Sequence, residues 1–106
     1  MDDKGIDIRV GTVNFWIKKG MKYNDGKAAD LFNINKKEGN ISILKGNNNY
    51  LVIKHSLVGV GNTILEYDVS SLSSNAHMFT ITWSVEDKEI NLYIDAEPVA
   101  KTEIEY

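Results

Sequence analysis

The run Met78-Phe79-Thr80-Ile81-Thr82-Trp83-Ser84-Val85, followed by Ile90-Asn91-Leu92-Tyr93-Ile94-Asp95, sets the architecture of this chain. The first run alternates strictly. Phe79, Ile81, Trp83 and Val85 point one way, and Met78, Thr80, Thr82 and Ser84 point the other. Period two is the mark of a strand with one face in a core. Glu86-Asp87-Lys88-Glu89 is a polar connector short enough for a hairpin. In the second run Leu92 and Ile94 share one face, and Asn91, Tyr93 and Asp95 share the other. Pairing the runs buries Phe79, Ile81, Trp83, Leu92 and Ile94 together, at roughly 1.5–3 kcal/mol per large apolar side chain.

The same pattern recurs on both sides. Gly5 to Val10 reads as a short opening strand, and Gly11 as a bulge. Thr12 to Lys18 is a strand with Val13, Phe15 and Ile17 inward and Thr12, Asn14 and Trp16 outward. Lys19 to Lys27 is the longest loop. Asp30 to Asn35 carries Phe32 and Ile34, and a turn follows in which Gly39 or Asn40 supplies a positive φ. Ile41, Ile43 and Lys45 then share one face, Gly46 to Asn49 turns, and Leu51 and Ile53 are core positions of the next strand. Leu65, Tyr67 and Val69 share a face of Thr63 to Val69. Pro98 opens a last strand, Val99 to Glu105, where its missing N–H is tolerated. About nine strands with short turns, and no helical periodicity, predict an all-β antiparallel sandwich of two packed sheets.

Composition bounds the rest. At 106 residues the chain forms a single domain, 1–106, large enough to bury its own core. It has no cysteine, which excludes disulfides, thiolate metal sites and a cysteine nucleophile. Twelve basic residues scattered among fifteen acidic ones, for a net charge of −3, argue against nucleic-acid binding. No segment is long and apolar enough to span a bilayer, and the start Met1-Asp2-Asp3-Lys4 lacks the apolar run of a signal peptide. The sequence is thus read as that of a protein kept in the cytoplasm or of a domain excised from something larger.

Two stretches resemble a known family. Gly11-Thr12-Val13-Asn14-Phe15-Trp16-Ile17-Lys18 is similar to the early strand of the concanavalin A-like lectin/glucanase superfamily, in particular its laminin-G-like branch. His77 to Trp83, then Leu92-Tyr93-Ile94-Asp95, resembles the later hairpin of that branch. Leu31-Phe32-Asn33-Ile34, Ile41-Ser42-Ile43 and Tyr50-Leu51-Val52-Ile53 fall between them in matching order, so the resemblance covers residues 11 to about 104. It implies a jelly-roll-like sandwich in compact form. Ala76 stands where the family often has tryptophan. Ala96 stands where glycine usually follows the aspartate, which argues against a tight positive-φ turn after Asp95. A compact version exposes sheet edges, and exposed edges invite pairing, so a homo-oligomer or a missing neighbouring segment is expected.

Catalysis has little support. The family's glucanases carry acids at alternate positions of one strand; here Glu66 and Asp68 match two of them and Ser70 fills the third. The plainer reading is the solvated face of a strand. His55 and His77 lack a flanking motif that activates a serine and read as surface or strand-edge residues. Calcium is the one cofactor suggested: the laminin-G-like resemblance implies a loop-rim site, for which Asn24, Asp25 and Asp30 are oxygen donors, although Asn-Asp-Gly is also an ordinary turn.

Sugar binding needs an exposed aromatic face with amide or carboxylate partners. Trp16 with Asn14 meets this on one strand, and Tyr93 with Asn91 and Asp95 on the hairpin. Trp16 capping the core is the alternative. Tyr23 and Tyr50 lie in or beside loops. Asn40-Ile41-Ser42 matches the glycosylation triplet at a turn, and Lys18, Lys19, Lys22, Lys36 and Lys37 read as solvated charges. Two functions follow: a non-catalytic carbohydrate-binding or adhesion module, or a structural domain that oligomerises or binds a protein through its sheet edges.

Overall fold

The computed structural model describes residues 7–20 and 22–104. Among them every regular element is a strand: β1 (Val10–Ile17), β2 (Ala29–Lys36), β3 (Gly39–Lys45), β4 (Tyr50–Leu57), β5 (Gly61–Asp68), β6 (His77–Ser84), β7 (Glu89–Ile94) and β8 (Glu97–Glu103). They form two antiparallel four-stranded sheets. One has the order β1-β6-β7-β8 and the other β2-β3-β4-β5. The chain leaves the first sheet after β1, runs the second as a meander, and returns for β6 to β8. The expected two-layer sandwich is therefore present.

Alternation places the core between the layers. Phe79, Ile81 and Trp83 of β6 face Ile90, Leu92 and Ile94 of β7 in register and are buried with them. On the other side of β6, Phe79 pairs with Phe15, Ile81 with Val13 and Trp83 with Gly11. The opposite sheet contributes Ile34, Ile41, Ile43, Leu51, Ile53 and Leu65. Phe15 stacks on Phe32 across the layers, with ring centroids 6.1 Å apart. The outer edges β5 and β8 approach each other and close one side of the sandwich.

Several expectations are corrected. Gly11 is regular strand, not a bulge. A Cβ there would lie 2.7 Å from Cζ2 of Trp83, so the glycine makes room for the indole. Neither Gly39 nor Asn40 has a positive φ. Gly39 is required by packing, because a Cβ would fall 1.9 Å from the Ser56 carbonyl oxygen. Of the proposed opening strand, Gly5 and Ile6 lie outside the described residues, Asp7 is irregular, and Ile8 and Arg9 form a bend before β1. Ile8 is nevertheless fully buried. The last strand begins at Glu97, two residues early, with Pro98 inside it. Pro98 is tolerated because β8 is an edge strand and a bulge opposite Leu92 and Tyr93 breaks the ladder there.

The turn between β7 and β8 also differs. Asp95 and Ala96 both have positive φ, 53° and 69°, so the tight turn forms without glycine. Ala96 is strained: a left-handed L-residue is disfavoured by about 1–2 kcal/mol. Glycine's freer unfolded chain takes back about 0.4–1 kcal/mol of that relief. Ala96→Gly is therefore expected to raise the unfolding free energy by about 0.5–1 kcal/mol, read as a higher urea midpoint at unchanged slope. A lower midpoint would contradict the strain.

Candidate functional site

Strand parity places the predicted aromatic and amide residues on one surface. Thr12, Asn14 and Trp16 point outward from β1, and Met78, Thr80, Thr82 and Ser84 from β6. Asn91 and Tyr93 do so from β7. The register aligns them in rows: Asn14 with Thr80 and Tyr93, Thr12 with Thr82 and Asn91, and Trp16 with Met78. The two stripes read separately in the sequence are thus one sheet face, with only β6 between them. Trp16 is 65% exposed and caps no core. The Asn91 amide donates to Thr82 Oγ1 at 3.4 Å and to Glu89 Oε1 at 3.3 Å, which holds it across the face. A hollow of about 210 Å³ lies at this end, lined by Thr12, Thr82, Ser84, Glu89 and Asn91 among others.

Asp95 does not join the stripe. It sits in the β7–β8 turn, where its Oδ1 accepts the Met78 N–H at 3.0 Å and its Oδ2 accepts His77 Nδ1–H at 2.7 Å. These hydrogen bonds, His77 first, hold its carboxyl pKa below the usual range. His77 is buried, contrary to the surface reading, and its Nε2 lies 3.0 Å from the Ser73 carbonyl and 3.3 Å from Ser73 Oγ. Asp95, His77 and Ser73 thus stand in the order of a catalytic triad that the sequence did not suggest. An activated serine needs the Nε2 lone pair aimed at its hydroxyl. Here the Ser73 carbonyl is the nearer neighbour of Nε2, and the ring ties the Ser73 loop to the turn. His55 is buried as well, and its Nε2–H donates to the Ile8 carbonyl at 2.6 Å. Burial pushes its pKa down, against the pull of that hydrogen bond.

The long loop between β1 and β2 is anchored rather than open. Tyr23 is core, not a loop ligand: its ring packs on Phe79 and edge-on to His77. Burial raises its pKa, with Asp95 adding to the effect. Lys45 occupies the inward position expected from its strand and is 1% exposed. Its ammonium meets Asp25 Oδ1 at 2.8 Å and also donates to the Lys27 carbonyl. The lysine thus takes up one of the carboxylate oxygens that calcium would need, and it keeps the Asp25 pKa low. Asn24 and Asp30 are exposed. Among the described residues, no group of three or more histidine, cysteine or acidic side chains is gathered to hold a metal.

Glu66 and Asp68 are exposed on β5, and Asp68 Oδ1 accepts the Ser70 N–H at 2.9 Å. Asn40 lies in β3, half-buried and bonded to Asn35, rather than at a turn free for a glycan. A larger cleft, about 550 Å³, lies over Asn35, Asn40, Ser56 and Asn62 beneath the β4–β5 turn, where Val58 and Val60 are exposed. The sequence reading missed it. Its only linear signal is the pair of valines flanking Gly59, which alternation leaves without a core to face.

No protein-family model matches this chain, and no curated protein matches it. Among solved structures it is similar to one described as the crystal structure of botulinum neurotoxin serotype D binding domain. The likeness has a TM-score of 0.69 and 19% sequence identity over 95% of this chain. The chain spans 27% of that chain's length. At this identity the likeness shows the fold and no more.

The Asp95 clamp sets a pH dependence. A carboxyl with a depressed folded pKa stabilises fully above its unfolded pKa and loses that effect as pH falls through the folded value. Asn accepts the left-handed backbone, so Asp95→Asn keeps the turn while it removes the charge and one of the two acceptor oxygens. The variant should melt below the parent at neutral pH, and the gap should close between about pH 5 and 2. A gap that stays constant in acid would show that Asp95 contributes by turn geometry only.

Proposed function

We propose that this protein is a non-catalytic carbohydrate-binding module, lectin-like in the manner of the concanavalin A-like family it resembles. The observation that carries the reading is Trp16. A tryptophan that is 65% exposed on the outward sheet face, two strands from Tyr93 and beside Asn14, offers an aromatic platform with hydrogen-bonding neighbours. Such a ring covers the apolar face of a sugar, and the amides and hydroxyls around it pair with the sugar's own hydroxyls. The solved structure of similar fold is described as a binding domain, which suits a module whose work is attachment.

A second reading, assembly with another copy of the chain, has one observation behind it. Ile64 is half-exposed on the outward face of β5. Equilibrium sedimentation at rising concentration would then show a dimer that Ile64→Lys weakens; a strict monomer removes this reading.

The principal test is a glycan array followed by calorimetry. Trp16 points to solvent, so Trp16→Ala should shift stability by no more than about 0.5 kcal/mol. It should weaken glycan binding at least about tenfold, or about 1.4 kcal/mol. Absence of glycan binding, or equal affinity in the variant, would overturn the reading.

A further inference from the structure

The outer face of the first sheet changes character along its strands. The rows run from Val10, Ser84 and Glu89, through Thr12, Thr82 and Asn91, then Asn14, Thr80 and Tyr93, to Trp16 beside Met78. The first two rows are hollowed out, whereas the last carries the exposed indole. Trp16 lies four residues from Thr12 on β1, about 13 Å along the strand. A single sugar ring cannot touch both.

We propose that this face binds an uncharged oligosaccharide chain laid along the strands, one end in the hollow against Asn91 and Thr82 and the other stacked on Trp16. The proposal rests on the carbohydrate reading above and adds the size and charge of the ligand. Between the two ends the outward side chains are Asn14, Thr80 and Tyr93, all able to hydrogen-bond to sugar hydroxyls. Charge selects against acidic glycans. Asp87 and Glu89 line the hollow, and Glu103 is the register partner of Glu89 on β8. The cation among these rows is Lys101, and Glu89 already holds its ammonium at 3.1 Å. An anionic chain would meet unbalanced carboxylates, while a neutral one loses nothing.

The test is calorimetry with β-1,4-linked glucose and N-acetylglucosamine oligomers from monomer to tetramer, and with a galacturonate tetramer as the acidic probe. Affinity should rise at least about tenfold from dimer to tetramer, and the galacturonate should bind more weakly than either neutral tetramer. Trp16→Ala should bring the tetramer to the level of the parent's dimer. Asn91→Ala should weaken dimer and tetramer alike. Amide shifts on titration should map to β1, β6 and β7. A tetramer that binds no tighter than the dimer, or shifts confined to the cleft around Asn35 and Asn62, would overturn the proposal. If Trp16-dependent binding persists but is independent of length, only this proposal falls; if neither neutral series binds, it falls together with the carbohydrate reading.

Discussion

The structure depends on β6 being paired along both edges while its inward side chains fill the space between the layers. Phe79, Ile81 and Trp83 can be buried only if β1 and β7 cover the strand's hydrogen-bonding groups on either side. Trp83 is the largest of them, and the cross-strand position opposite it is Gly11. Any side chain there would collide with the indole. The indole N–H in turn donates to the Asp7 carbonyl at 3.0 Å, which draws the segment before β1 over the core. One bulky residue thus dictates a glycine on its neighbour and positions a stretch that has no strand of its own.

A similar logic governs the loops. A polar group buried without a partner loses about 1–3 kcal/mol, and the basic side chains inside the sandwich find theirs, whereas the Tyr23 hydroxyl and Asn40 Oδ1 have none. Lys45, His55 and His77 stand at inward positions, and each is met by a loop or a turn. Lys45 takes Asp25 and the Lys27 carbonyl, His55 takes the Ile8 carbonyl, and His77 takes Asp95 and Ser73. These contacts fix loops whose composition alone reads as polar and open. They also account for the fate of the candidate metal ligands, since Asp25 serves a buried ammonium. Asp95 serves the start of β6 in the same way.

With those carboxylates engaged in the framework, the groups facing solvent on the middle rows of the first sheet are neutral amides, hydroxyls and aromatics, and the carboxylates of Asp87, Glu89 and Glu103 gather at the hollow. That division of labour makes the face suited to a polar, uncharged ligand. The opposite sheet presents a different surface, with a row of Asn35, Asn40, Ser56 and Asn62 under two exposed valines.

The alternating runs determined which residues are core and that the fold is a two-layer sandwich, because a period of two leaves one side of each strand apolar. Phe79, Ile81, Trp83, Leu92, Ile94, Leu51 and Ile53 are all read correctly on that ground, and so is the outward Trp16. Even Lys45 follows parity against its charge. The turn chemistry was less legible: Ala96 adopts a left-handed backbone because the hairpin's register and the Asp95 clamp hold it there, which no local preference indicates. Which strands are neighbours, and hence that Trp16 and Tyr93 share a face, was decided only by tertiary structure. Pairing of β1 with β6 joins residues sixty or more positions apart, and the physical reason is the shared core rather than anything in either segment alone. The same holds for the burial of Tyr23, a loop residue packed on Phe79 and His77 of β6, and of His55, whose partner Ile8 is 47 positions away.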